Sequence, residues 1–284
     1  MSLDPDLLAN TTLLDVPASY GEKDVMLYAL GVGLGSDAQH TGELAYVFEH
    51  AGLHTLPTLV TMLVPDTLVA NSGIDIRKML HRSQSLEIFR PLPPAAKLLV
   101  NQRIASVADR GAGRGAEIEL ETEFRLARDD SVICTAGSLV VARGDGGFGG
   151  AAPIVRTRHR MPNREPDLVC DLPTRRDQAL LFRLSGDFNP LHVDPQTAKN
   201  AGFDAPILHG RCTYGMACHA ILKTVCDYDF TLISGFDVRF SSPVYPGDII
   251  TTEMWQDGNI VSFRCRVKAR DAVVLSNGRC TLAV

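Results

Sequence analysis

The chain carries two related copies of one pattern, and this internal repeat limits its possible folds more than any other feature. Pro91-Leu-Pro-Pro-Ala95 recurs as Pro243-Val-Tyr-Pro-Gly247 at an offset of 152 residues. Asp24–Gly33 resembles Asp177–Gly186 at an offset of 153 residues. Because two matches at almost the same offset favour duplication over chance, the sequence predicts two similar units in tandem.

The apolar pattern predicts the same architecture for each unit. A short helix opens each unit, and a second helix follows at Thr58–Ala70 in the first and at Arg211–Cys226 in the second. Runs of alternating or β-branched residues then predict several antiparallel strands. A buried helix combined with such strands is an α+β arrangement. The Gly-rich stretch at residues 144–153 is typical of a linker, so we expect domains at residues 1–150 and 151–284.

Composition argues against several classes of partner. Hydrophobic residues make up 45% of the 284 residues, which is enough for a core. The net charge of -5 argues against nucleic acid as the main partner, and the apolar runs are too short to span a membrane. The N-terminus lacks a signal-peptide pattern. The seven cysteines form no CxxC pair, so we expect reduced thiols in a cytoplasmic protein, without disulfides or a metal site.

Candidate catalytic groups are concentrated in one turn of the second unit. Asp187 and His192 lie five residues apart, in a stretch that Gly186 and Pro190 keep from being a regular helix or strand. A carboxylate and an imidazole presented together can hold a water molecule and move protons. We predict that they act as a coupled acid–base pair. The sequence does not show which of the two is the acid and which is the base. Asn189 is expected to fix the turn through hydrogen bonds between its side chain and the backbone.

Gly210 is the third candidate, because it directly precedes the predicted helix Arg211–Cys226. The first N–H groups of a helix lack intrahelical partners and carry partial positive charge, so they can stabilise an oxyanion. In the first unit, the repeat offset places Leu34, Gln39 and Pro57 at the positions of the three candidates. We therefore expect the first unit to bind and support rather than catalyse.

Other interpretations of these residues stay open. Asp187 can serve only as a turn cap. His192 can bind a metal with Asp187, Asp194 and His209, although their spacing matches no recognised metal motif. His209 itself is expected to be a hydrogen-bonded packing residue.

Three segments of the second unit resemble one known family. Phe182–His192 resembles the hydratase 2 signature of the MaoC-like dehydratases, Ile207–Gly215 resembles the second block of that family, and Arg239–Asp248 a third. The resemblance covers nearly the whole chain and is closest to the (R)-specific 2-enoyl-CoA hydratases. It implies a double hot dog fold, in which two tandem repeats each wrap an antiparallel sheet around a central helix. It also implies a homodimer, an acyl-CoA thioester as substrate, no cofactor, and hydration of trans-2-enoyl-CoA to (3R)-3-hydroxyacyl-CoA.

The resemblance also assigns roles to residues. It implies that Asp187 and His192 are the catalytic dyad and that the Gly210 N–H polarises the thioester carbonyl. Further positions are implied to lie along the acyl-CoA path: His81, Arg82, Arg110 and Phe240, together with Phe188, Asn189, Pro190 and Leu191 of the signature. The family commonly has Gly at the position of Arg82 and Lys at that of Arg110, and these departures affect chain-length preference most. Read without the resemblance, His81 can equally be a plain surface histidine.

Alternative functions keep the fold but change the chemistry. The substrate can be an acyl-carrier-protein thioester that is dehydrated, the reaction can be thioester hydrolysis, or the protein can bind acyl-CoA without turnover. Fold alone does not separate these functions. The first unit, with Pro57 and Pro65 near the ends of its central helix, is expected to accommodate a bulky acyl group, whose identity the sequence leaves open.

Overall fold

The computed structural model describes residues 5–37, 39–65, 68, 74, 78–154 and 157–283. The first unit contains strands β1 (Thr12–Tyr20), β2 (Met79–Ile88), β3 (Ala96–Asp109), β4 (Ala116–Leu126) and β5 (Val132–Ala142). The second contains β6 (Leu168–Pro173), β7 (Ile233–Phe240), β8 (Ile249–Asp257), β9 (Ile260–Val267) and β10 (Ala272–Leu282). The α-helices are α1 (Pro5–Ala9), α2 (Glu22–Gly31), α3 (Thr41–Leu44), α4 (Gln178–Phe182), α5 (Pro195–Asn200) and α6 (Gly210–Thr224). Short 3-10 helices include Pro57–Leu63, Arg183–Ser185 and Pro190–His192.

All ten strands form one antiparallel sheet in the order β1-β3-β4-β5-β2-β7-β10-β9-β8-β6. From the edge of the sheet to its centre, the first unit has the order β1-β3-β4-β5-β2 and the second unit has the equivalent order β6-β8-β9-β10-β7. The topology therefore repeats as the sequence does. The two units meet where β2 pairs with β7. The structure is thus α+β, as predicted, although the continuous sheet leaves the division at residue 150 a prediction.

Helix α6 is the centre of the core. Every residue from Cys212 to Leu222 is buried, as expected for a helix that a sheet surrounds. Helix α2 of the first unit packs directly against its backbone at Gly215. A Cβ added to Gly215 would lie 2.6 Å from Val32 Cγ1 and 2.7 Å from Tyr28 Oη. The absence of a side chain at Gly215 therefore lets the two units share one core.

The central element of the first unit differs from the prediction. Where an α-helix over Thr58–Ala70 was predicted to begin, the chain forms a 3-10 helix over Pro57–Leu63; residues 66–67 and 69–70 lie outside the described residues. Several β-branched residues lower the helix propensity of this segment. Pro65 also disfavours helical geometry at Val64, whose φ of -66° and ψ of 124° are extended.

The predicted Gly-rich linker folds as part of the first unit rather than as a loose connection. The Asp109 carboxylate accepts hydrogen bonds from the N–H groups of Gly111 at 2.7 Å, Gly147 at 2.8 Å and Gly149 at 2.7 Å. These bonds fasten two glycine-rich turns to the end of β3. They also lower the pKa of Asp109, the bond from Gly147 most.

The cysteines lie in the folded core. All seven cysteines are free and buried. In the part of the chain that the structure describes, no helix has the length and apolar character needed to cross a membrane.

Candidate active site

The turn that carries Asp187 and His192 is held by its own side chains. Gly186 ends the short helices before it with a φ of 122°, a conformation that favours glycine. The N–H of Asn189 donates to Asp187 Oδ1 at 3.3 Å, and the N–H of Leu191 donates to Asn189 Oδ1 at 3.0 Å. The structural role expected for Asn189 is therefore confirmed. The turn then continues into the 3-10 helix Pro190–His192.

His192 is oriented by a main-chain carbonyl. Its Nδ1 lies 2.9 Å from the oxygen of Ile207, which can only accept, so Nδ1 carries the proton and donates it. Nε2 is then left with its lone pair. The ring is buried, and this burial lowers the pKa of His192, while the bond to Ile207 and the nearby Asp187 act in the opposite direction. His192 is therefore neutral at pH 7 and can accept a proton at Nε2.

His209 packs against the candidate dyad and links its two halves. Its ring stacks on that of His192 with centroids 3.8 Å apart, and its Nε2 donates to the main-chain oxygen of Asp187 at 3.1 Å. Burial, followed by the neighbouring His192, lowers the pKa of His209 to about 4. The expectation of a hydrogen-bonded packing residue is confirmed, but its contacts also join the two candidate catalytic residues.

The structure brings Asp187 and His192 together as the sequence predicts. One nitrogen or carboxylate oxygen from each of Asp187, His192 and His209 lies within 4.8 Å of the others. One water molecule can therefore bridge the carboxylate of Asp187 and the imidazole of His192. The same three residues can be drawn as a metal site, and the structure separates Asp194 from them by using its carboxylate to cap α5.

Gly210 is the first residue of α6, one position earlier than the predicted helix start. Its N–H thus belongs to the first turn of a buried 15-residue helix, where donors lack intrahelical partners. A Cβ at Gly210 would lie 3.3 Å from Cε1 of Phe240, so the ring of Phe240 closes over this backbone. Gly210 directly follows His209, which contacts both residues of the dyad.

His81 and Phe240 extend the site onto the sheet. Their rings lie 4.7 Å apart between centroids, and Nε2 of His81 is buried and has no hydrogen-bond partner among the described residues. Burial, followed by the charge of Arg211, lowers the pKa of His81 to about 3, whereas Asp187 acts to raise it. His81 therefore packs against Phe240 and is not a plain surface histidine, while its place along the substrate path stays a prediction.

The remaining predicted contacts are more peripheral. Phe188 is 58% exposed, and the guanidinium of Arg183 lies 4.8 Å from its ring centroid. Arg82 and Arg110 both contact Glu117, a buried carboxylate on β4 that sequence reasoning did not single out. Glu117 is far from the motif in sequence, and only the register of the sheet brings it near.

Comparisons with known proteins show the family to which the chain is similar. The MaoC like domain matches residues 158–277, and the MFE-2 hydratase 2 N-terminal domain matches residues 18–144. The peroxisomal enoyl-CoA hydratase 2 of Arabidopsis thaliana is 38% identical over 95% of this chain and 93% of that protein. The enoyl-CoA hydratase ChsH3 of Mycobacterium tuberculosis is 39% identical over 97% of this chain and 98% of that protein.

Solved structures agree on the fold. A MaoC-like dehydratase from Phytophthora capsici superposes with a TM-score of 0.87 at 32% identity, covering 99% of this chain and 98% of that one. A Mycobacterium tuberculosis protein with a double hot dog fold superposes with a TM-score of 0.58 at 14% identity, covering 98% of this chain and 96% of that one. The second likeness concerns the fold alone, and with the repeated strand order it confirms the double hot dog fold.

Proposed function

Because the chain belongs to the MaoC-like dehydratase family, in its hydratase 2 group, we propose that it is an (R)-specific 2-enoyl-CoA hydratase. It adds water reversibly to a trans-2-enoyl-CoA and forms a (3R)-3-hydroxyacyl-CoA. The observation that carries this proposal is the pair of a half-buried Asp187 and a buried His192, whose Nδ1 is bound to a main-chain oxygen and whose ring lies close to the carboxylate. The site needs no cofactor for this reaction.

Hydration requires two proton movements and a place for negative charge. A water molecule held by Asp187 and His192 bonds through its oxygen to C3, and one of its protons passes to the pair. The electrons of the C2–C3 double bond move toward the thioester oxygen, where the Gly210 N–H at the start of α6 stabilises the enolate. C2 then takes a proton from the pair, so the pair ends as it began. Reversal of these steps is dehydration.

The test of this function uses variants within one loop. We expect Asp187→Asn and His192→Ala each to lower kcat for trans-2-enoyl-CoA by at least roughly 100-fold, because each removes one group that moves protons. Asp194→Asn is the matched control, since Asp194 caps α5 through the N–H groups of Gln196 and Thr197 and an amide oxygen can replace it. Wild-type turnover in a folded Asp187→Asn or His192→Ala variant would contradict the proposal.

The first unit is proposed to accommodate the acyl chain. The described part of its central element is a 3-10 helix over Pro57–Leu63 that ends at an extended Val64, whereas the second unit has an α-helix of 15 residues at the equivalent place. This interruption before Pro65 supports the proposal. Comparing kcat/KM for a short and a long enoyl-CoA tests it, and a preference for the short substrate would contradict it.

A homodimer is proposed as the assembly. Three large apolar side chains beside the site turn, Leu180, Leu184 and Phe188, are 57%, 53% and 58% exposed. Contact with a second copy would remove this apolar area from water. Light scattering coupled to gel filtration tests the proposal, and a monomer at micromolar concentration would contradict it.

A cytoplasmic location is proposed because all seven cysteines are free thiols in the core. Cell fractionation with an antibody against the chain tests this location. Enrichment in a membrane-bound compartment would contradict it.

A further inference from the structure

A group of arginines lies next to the strand residues that line the site. Arg82 follows His81 on β2, and Arg239 precedes Phe240 on β7. Strands β2 and β7 pair at Ser83–Arg239, Gln84–Val238 and Glu87–Gly235, and the ladder ends at the first of these pairs. His81 and Phe240 therefore lie where the two strands part. Their rings are in contact there, with centroids 4.7 Å apart, and the ring of Phe240 also covers the backbone of Gly210.

Glu117 organises two of these arginines. Its Oε1 lies 3.5 Å from Nη1 of Arg82 and 3.7 Å from Nε of Arg110. The carboxylate is 9% exposed, whereas the side chains of Arg82 and Arg110 are 28% and 32% exposed. A buried charge requires such pairing, so Glu117 restricts both guanidinium groups while each keeps part of its surface in solvent.

The backbone that carries Arg110 is also constrained. The N–H of Arg110 donates to the oxygen of Gly115 at 3.0 Å and closes a tight turn. The preceding Asp109 binds this turn to the glycine-rich segment through the N–H groups of Gly111, Gly147 and Gly149. Arg110 is thus held at both its main chain and its side chain.

Arg239 lies close enough to Arg82 and Arg158 for their positive charges to repel one another. Burial, followed by the charges of Arg158 and Arg82, lowers the pKa of Arg239, while Glu117 acts to raise it. The arginines therefore lie within one another's electrostatic reach, in a chain whose net charge is -5. Gathering like charges costs free energy that a bound anion offsets. The planar fork of arginine matches phosphate oxygens well.

We propose that Glu117 is a positioning residue for the CoA end of the substrate: it holds Arg82 and Arg110 on the side of the site where β2 and β7 part, and with Arg239 they bind the phosphate groups of CoA. This inference rests on the proposed function, because it takes the thioester to reach Asp187 and His192 while the phosphates stay outside. Glu117 touches neither the acyl chain nor the reacting atoms.

The test compares two thioesters of the same enoyl acid. Trans-2-enoyl-CoA carries the phosphates, and trans-2-enoyl-pantetheine carries none. We expect Glu117→Gln to raise KM for the CoA thioester roughly ten-fold, because freed guanidinium groups no longer meet the phosphates in a fixed geometry. The kcat for both substrates and KM for the pantetheine thioester should stay unchanged. Glu121→Gln is the matched control, since Glu121 lies on the same strand and pairs with Arg103 at the exposed surface.

The outcomes separate this inference from the function beneath it. If the wild-type protein hydrates neither thioester, the proposed function fails. If it hydrates both with the same KM, the function stands and the phosphate site is wrong. If Glu117→Gln lowers KM for the CoA thioester, then Glu117 only reduces the positive charge that attracts the CoA phosphates, and its positioning role is wrong. An equal rise of KM for both thioesters would also contradict the proposal, because a general structural role predicts it.

Two further variants keep the test decisive if Glu117→Gln does not fold. Glu117→Asp retains the charge but withdraws the carboxylate by one methylene, and we expect it to raise KM for the CoA thioester alone. Arg239→Gln should do the same, because it removes one phosphate ligand without disturbing the pairs of Glu117 with Arg82 and Arg110. Unchanged KM in both variants would overturn the proposal.

Discussion

At the scale of single residues, protonation of His192 sets how the site should respond to pH. Burial is the largest influence on this ring and lowers its pKa from the ordinary value of about 6.5. His192 therefore stays neutral as pH falls through the range in which an exposed histidine takes up a proton. We expect kcat/KM to fall with a midpoint below the ordinary histidine value of about 6.5. A pH profile of kcat/KM that already declines with a midpoint above about 6.5 would contradict this account.

The residues around His192 also make a prediction about metals. Asp187, His192 and His209 come close enough to hold an ion, yet both histidines already donate one ring N–H to a main-chain oxygen. The proposed proton transfers use the free Nε2 of His192 directly. We therefore expect full activity after prolonged dialysis against a chelator. Loss of activity that Zn²⁺ restores would instead support the metal interpretation.

The sequence alone identified the candidate catalytic residues, but it did not identify all of the residues around them. Asp187, Asn189 and His192 share one turn, so their proximity follows from local spacing. Glu117 was missed because its role depends on the register of β4 with the rest of the sheet. No local pattern distinguishes it from Glu119, Glu121 and Glu123 on the same strand.

At the scale of elements, the contact between α2 and α6 depends on Gly215. A Cβ there would lie 2.6 Å from Val32 Cγ1 and 2.7 Å from Tyr28 Oη. We expect Gly215→Ala to lower the free energy of unfolding by about 1–3 kcal/mol, because a well-packed core does not yield to an extra methyl group without strain. Urea unfolding of the two proteins measures the difference.

A Tyr28→Phe background supplies the control for this prediction. Oη of Tyr28 is buried and has no hydrogen-bond partner within the described residues, so its removal should cost little. Gly215→Ala should then destabilise the protein less than it does beside Tyr28, because one of the two close contacts is gone. An equal loss in both backgrounds would show that the close approach of α2 is not the cause.

Elements were predictable where repeat and periodicity agreed. The helix after His209 was expected because apolar residues cover all of its faces, and the structure buries it within the sheet. The first unit gave the opposite result over Thr58–Ala70. There the apolar composition suggested a helix, but β-branched residues and Pro65 favour the short 3-10 helix that the structure shows.

At the scale of the whole molecule, three histidines with lowered pKa values couple stability to pH. Burial lowers the pKa of His209 and of His219 to about 4 and that of His81 to about 3. The unfolded chain binds protons near the ordinary value of about 6.5, so it binds more protons than the folded chain between the two values. Stability is then full above about pH 6.5 and declines as pH falls toward about 4.

Urea midpoints measured between about pH 7.5 and about pH 4.5 test this prediction. We expect a loss on the order of 1 kcal/mol per pH unit for each histidine that stays neutral in the fold. His219→Gln should reduce the slope, since His219 lies in the core, with its Nδ1 3.1 Å from the oxygen of Val32. A stability that is constant over this range would contradict the burial of these rings in neutral form.

The most direct test of the proposed function is the stereochemistry of hydration by the purified protein. Trans-2-enoyl-CoA is followed by loss of its enoyl-thioester absorbance, and the product is offered to an (S)-specific and, separately, to an (R)-specific 3-hydroxyacyl-CoA dehydrogenase with NAD. The account predicts loss of the enoyl signal, with NAD reduced only by the (R)-specific enzyme and no turnover by Asp187→Asn. NAD reduction by the (S)-specific enzyme, or release of free thiol instead of hydration, would contradict it.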